Sequence, residues 1–95
     1  MQFVIYGWDG TDEQAPQRRQ ATRPAHLEGV KQLKAQGHLL FAGAMLDDQE
    51  QMRGSTMVVD FESREALQNW LDQEPYILQS VWQKIEIHPF RVANV

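Results

Sequence analysis

Arg23-Pro24-Ala25-His26-Leu27-Glu28-Gly29-Val30-Lys31-Gln32-Leu33-Lys34-Ala35-Gln36-Gly37 decides the fold, because it joins two strand-like stretches. Pro24 fits the first turn of a helix, where its missing N–H loses no bond. The spacing predicts a helix from Pro24 to Gln36, with Gly37 as its stop. At 100° per residue His26, Val30 and Leu33 share one face. Gly29 lies beside them and allows close approach to a sheet. His26 is therefore expected on the inward face, near the helix start.

Working outward, residues 2–8 (Gln-Phe-Val-Ile-Tyr-Gly-Trp) are β-branched and aromatic and read as a strand. Phe3 and Ile5 fall on one face, and Val4, Tyr6 and Trp8 on the other. Asp9-Gly10 is a turn signal. Residues 11–22 are polar and carry Pro16 and the Arg18-Arg19 pair; they read as a loop with a short helical turn. Residues 38–46 read as a second strand. Asp47-Asp48-Gln49-Glu50 is an acidic loop closed by Gly54, and Ser55 to Phe61 is a third strand, so strands two and three form a hairpin with a long tip. Ser63 is a good N-cap for an amphipathic helix over 64–72. Pro75 ends that helix, and Glu74-Pro75-Tyr76 opens a turn or short helix to about Ser80. Val81 to Val92 is the fourth strand.

The order β-α-β-β-α-β predicts an α+β, ferredoxin-like fold: a four-stranded antiparallel sheet with two helices on one face. The 95 residues fit one domain, 1–95. The other sheet face would carry Tyr6, Trp8, Trp82 and Phe90, a large apolar patch. A homodimer with two sheets face to face would cover it.

The net charge of -4 argues against nucleic acid and anionic membrane as partners. The absence of cysteine excludes disulfides, thiolate metal sites and a cysteine nucleophile, and fits a cytoplasmic location. No apolar run approaches the roughly 20 residues that span a bilayer, and the N-terminus does not read as a signal peptide.

Arg23-Pro24-Ala25-His26-Leu27, Gly37 with Ala42-Gly43, Gly54-Ser55-Thr56, Glu74-Pro75-Tyr76 and Pro89-Phe90 together resemble the YCII-related (YciI-like) family, over nearly the whole chain. The resemblance implies a dimeric α+β barrel of ferredoxin-like protomers. It also implies an active site in which a histidine, matched by His26, pairs with an aspartate. The matching carboxylate here is Glu74, one methylene longer. A relative of known chemistry is similar to a dehydrochlorinase of chlorinated hydroquinones, so the resemblance extends to chemistry on small polarised rings.

On the residues alone, His26 is a general acid/base or a buried histidine bonded to backbone. Glu74 is its orienting carboxylate or the cap of the turn opened by Pro75. Arg23 binds an anionic ligand or makes a surface ion pair. Ser55 donates to a ligand or satisfies a bulge beside Gly54. Tyr76 lines a pocket or packs in the core. His38 and His88 lack metal-ligand spacing, so no metal site is expected. No phosphate loop and no heme axial-ligand pattern occur, so no cofactor is expected. The functional expectation is a small enzyme doing acid/base chemistry (elimination, isomerisation or hydrolysis) on a small polar or ring substrate. The alternative is a non-catalytic dimeric module that binds a small ligand or a partner protein.

Overall fold

The computed structural model describes residues 1–95. The elements run β1 (Gln2–Asp9), α1 (Ala15–Ala35), β2 (Leu39–Leu46), β3 (Met52–Asp60), α2 (Arg64–Leu71), α3 (Pro75–Leu78) and β4 (Trp82–Phe90). The four strands form one sheet in the order β2-β3-β1-β4, with every neighbouring pair antiparallel. This is the expected ferredoxin-like arrangement. Phe3 and Ile5 of β1, with their partners Val59 and Met57 on β3, face the helices. They close a core with Leu33, Leu67, Leu71, Tyr76, Val81 and Trp82. Burial of each such side chain contributes about 1.5–3 kcal/mol.

The caps behave as the sequence implies. Ser63 accepts from the Ala66 N–H at 3.0 Å at the start of α2. Gly37, at φ +82°, ends α1. The Gly37 N–H donates to Lys34 O and the His38 N–H to Leu33 O, each at 3.0 Å, which is a Schellman closure. Asp47 accepts from the Gln49 and Gln51 N–H groups and so ties the β2–β3 turn.

Three expectations are corrected. First, α1 begins at Ala15, not Pro24, and Pro16 takes the first-turn role. Pro24 lies inside the helix. There it removes the donor that the Gln20 carbonyl would receive, a substitution that costs about 3 kcal/mol in a helix interior. Gln20 and Pro24 are both exposed, so the disturbance falls on the solvent side. The start of α1 is also held from outside. Arg18 donates to Asp12 at 2.8 and 3.1 Å and to Ser80 O at 3.1 Å, and it draws the Asp12 pKa down to about 2. That contribution is present above the ordinary carboxylate value of 3.8 and lost as pH falls through about 2.

Second, β3 begins at Met52, so the hairpin tip is short. Gly54 sits within the strand, where a Cβ would lie 2.7 Å from the Gly7 carbonyl oxygen.

Third, Trp82 is not on the open sheet face. Trp8 pairs with Lys84 but Asp9 pairs with Trp82, so Gln83 is an extra residue in β4. This bulge shifts the alternation by one and turns the indole into the core. The space it fills is left by Gly7, because any Cβ there would overlap the Trp82 ring.

The open face does carry Tyr6, Trp8 and Phe90, joined by Phe41. Val4 and Val58 are buried at its centre, outside the main core. Trp8 donates to Glu86 at 3.4 Å, and the Arg53 guanidinium lies 5.2 Å from its ring centre.

Two substitutions test this account. Gly7→Ala should destabilise the chain by about 1–3 kcal/mol in urea unfolding, with a changed tryptophan emission, because the indole must move. Pro24→Ala should instead raise stability by about 1–2 kcal/mol, the helix gain less the loss of proline's restraint on the unfolded chain.

Candidate functional site

A cleft of about 460 Å³ opens between α1 and β2, with Ser55 and Met57 of β3 and Tyr76 of α3 at its floor. Strand β2 is at the sheet edge, and its residues from Leu40 to Ala44 are exposed. His26, Arg23, Ser55 and Tyr76 all line this cleft. Glu74 stands behind His26.

His26 comes from the middle of α1 and is 6% exposed. Its Nδ1 meets Glu74 Oε1 in a buried contact. An ionised carboxylate only accepts, so Nδ1 is the donor, and in the neutral ring Nε2 carries the lone pair. The imidazole lies flat on the Tyr76 ring, with centroids 3.8 Å apart and planes 8° from parallel. Trp82 meets it edge-on at 5.7 Å. Three contacts therefore fix the ring's tilt and rotation. Nε2 makes no hydrogen bond within the protein and is not sealed from solvent. It is the one reactive edge of the ring left on the cleft side.

Glu74 combines both roles read from the sequence. It is the N-cap of α3, and Oε1 also accepts the Tyr76 N–H at 3.1 Å. Its longer side chain does reach the imidazole. Glu74 Oε2 is buried without a partner. Such an orphaned oxygen costs free energy unless a functional pairing uses it.

The rest of the floor was not anticipated. The sequence places Arg19 in a polar loop with a short helical turn and Asp9 in a turn, whereas the structure buries both side chains. Their side chains are 6% and 5% exposed. Arg19 Nη1 donates to both Asp9 oxygens, at 2.8 and 3.0 Å, and Nη2 donates to Ser55 Oγ at 2.8 Å. The Trp82 indole N–H reaches the same Oγ at 3.2 Å. The Arg19 guanidinium also sits 4.9 Å from the Tyr76 ring centre. Burial pushes the Asp9 carboxyl up, against the bond and charge of Arg19. Burial likewise raises Tyr76, against Arg19 and Arg23, so the phenol stays neutral at neutral pH. Spacing held the missing signal: Arg19 lies seven residues before His26, and Leu33 seven after, so all three fall on one helix face.

Arg23 is in the third turn of α1 rather than at its entrance. It is exposed and makes no salt bridge within the protein. Ser55 lies inside β3 rather than at its start, two residues past a bulge at Arg53. His38 stacks on Phe61 at 4.6 Å, and its Nδ1 bonds to the Asp60 carbonyl, away from the cleft. No three His, Asp or Glu side chains converge on one point.

This fold recurs in a solved 5-chloro-2-hydroxyhydroquinone dehydrochlorinase from Burkholderia phenoliruptrix, in complex with 2,5-dihydroxybenzoquinone. It is 22% identical, covers 98% of this chain and 96% of its own, and has a TM-score of 0.85. A dimeric ferredoxin-like protein from Jannaschia is more distant, at 14% identity over 96% of this chain and 98% of its own, with a TM-score of 0.54. In sequence, Protein YciI of Escherichia coli is 37% identical across 96% of this chain and 97% of its own length. An uncharacterised protein of Haemophilus influenzae is 33% identical over the same shares. The family described as the YCII-related domain matches residues 1–91, and the chain belongs to it.

Proposed function

We propose that the protein is a small acid/base enzyme, with His26 as the proton-transferring group and Glu74 as its positioning partner. The observation that carries this reading is the His26 ring itself. It is held by Glu74, Tyr76 and Trp82, and its unpartnered Nε2 opens on a cleft large enough for a small molecule. In the neutral ring Nε2 takes a proton from the bound molecule. As the imidazolium it returns that proton to the product or leaving group. Glu74 holds the donor tautomer at Nδ1 and stabilises the charge that appears on the ring. Ser55, Arg23 and Tyr76 hold the substrate. The same fold carries a dehydrochlorinase in the Burkholderia protein, and an elimination of that kind needs this proton step; the link is one of fold.

The working form proposed is a homodimer closed through the open sheet face. Phe41 and Phe90 there are 54% and 41% exposed, and burying them against a second copy is a two-fold, self-complementary contact. The ferredoxin-like Jannaschia neighbour is dimeric, which supports a two-copy form of this fold.

Two experiments test these readings. A metabolite set screened by thermal shift identifies compounds that bind the native state, and each hit is followed by NMR for product or for deuterium entering its C–H positions. His26→Gln should lower the rate at least about 100-fold, the usual contribution of a general acid/base, and Glu74→Gln at least about tenfold. An unchanged rate in His26→Gln sinks the proposal, and binding with no turnover reassigns the cleft to a non-catalytic module. For the assembly, sedimentation should give twice the chain mass, and Phe90→Glu should shift it to one; a monomeric wild type would overturn it.

A further inference from the structure

Ser55 Oγ accepts two hydrogen bonds, from Arg19 Nη2 at 2.8 Å and Trp82 Nε1 at 3.2 Å. A serine hydroxyl has two lone pairs and one proton. Both lone pairs are engaged, so the proton must point along the remaining direction. No acceptor within the protein receives it, and Ser55 is 4% exposed on the cleft floor. Ser55 is thus a fixed donor toward the cleft, and it cannot serve a ligand as an acceptor.

The charge around it points the same way. Arg19, Arg23 and Lys34 line the cleft, and no Asp or Glu does, although the chain carries a net charge of -4. Asp9 neutralises Arg19, whereas Arg23 and Lys34 have no acidic partner. Basic walls in an acidic molecule concentrate anions locally. Ten of the sixteen lining residues are hydrophobic, among them Val30, Leu39 and Met57.

We propose that the cleft takes a small organic monoanion, whose oxygen accepts the Ser55 hydroxyl proton near Arg23 and whose apolar body lies on the Val30, Leu39 and Met57 wall. This names the substrate class for the acid/base site and rests on that reading only for what happens after binding. The Asp9–Arg19 pair positions Ser55 by fixing the direction of its proton.

Benzoate and benzamide, nearly identical in shape and different in charge, serve as probes in amide NMR titrations of the full chain. Benzoate should bind at least tenfold more tightly, perturb residues 42–44 and 55, and weaken several-fold between 50 and 500 mM salt. Arg23→Gln, on an exposed side chain without partners, should weaken benzoate several-fold and leave benzamide unchanged. Ser55→Ala should weaken benzoate about tenfold where its spectrum shows a native fold; Arg23→Gln decides the matter should that variant unfold. Equal affinity for the two probes, perturbations away from the cleft, or no binding of either overturns the inference. Charge-selective binding in a protein whose turnover ignores His26 would sink the acid/base reading alone. His26-dependent turnover of neutral compounds, without charge preference, would sink this inference alone.

Discussion

A guanidinium and a carboxylate taken from water into a protein interior lose several kcal/mol of hydration each, and only a close, well-bonded pairing offsets that loss. Arg19 and Asp9 are such a pair, and much of the molecule is arranged around satisfying them. Asp9 ends β1 and Arg19 comes from the first half of α1, so the pair fixes the helix over the sheet. The second guanidinium nitrogen then reaches Ser55, which also takes the Trp82 indole proton. Trp82 can be there because Gly7 leaves the space and a bulge turns β4 inward. Tyr76 lies beneath the guanidinium, and His26 lies on Tyr76. One buried charge pair thus links both strands of the sheet centre to the imidazole.

The fold was legible where a periodic pattern and a local stop agree. Residues 2–8 are a β-branched and aromatic run ended by Asp9-Gly10, Ser63 precedes an amphipathic run, and Gly37 follows one. Each of these signals has a short-range physical cause, and each appears in the structure. The first half of α1 carries only the seven-residue spacing of Arg19 from His26, with no apolar run to mark it. Its inward face is formed by Ala15 and Arg19, and an arginine reads as solvent-facing until its partner is known. That partner lies on another element. Pro24, the residue that looked like a beginning, is an interior proline tolerated on the solvent side.

The candidate site was legible in the same uneven way. Arg23-Pro24-Ala25-His26 and Glu74-Pro75-Tyr76 were recognisable as short stretches, and the fold brings His26, Glu74 and Tyr76 together. Asp9 and Arg19 read as solvent-facing on their own, because their burial depends on each other across the helix–sheet interface. Alternation counted back from Ile85 and Ile87 puts Trp82 on the open face, and a single extra residue in β4 inverts it. Neither a mutual burial nor a bulge leaves a mark in one strand's own pattern.

The Glu74 carboxylate has two masters. The oxygen that meets His26 also receives the backbone proton of Tyr76, whose ring is the platform under the imidazole. Orientation of the imidazole and shape of the turn therefore share one atom. A lineage that re-aimed the imidazole would have to rebuild the loop along with it, which confines such change to concerted substitutions rather than single steps.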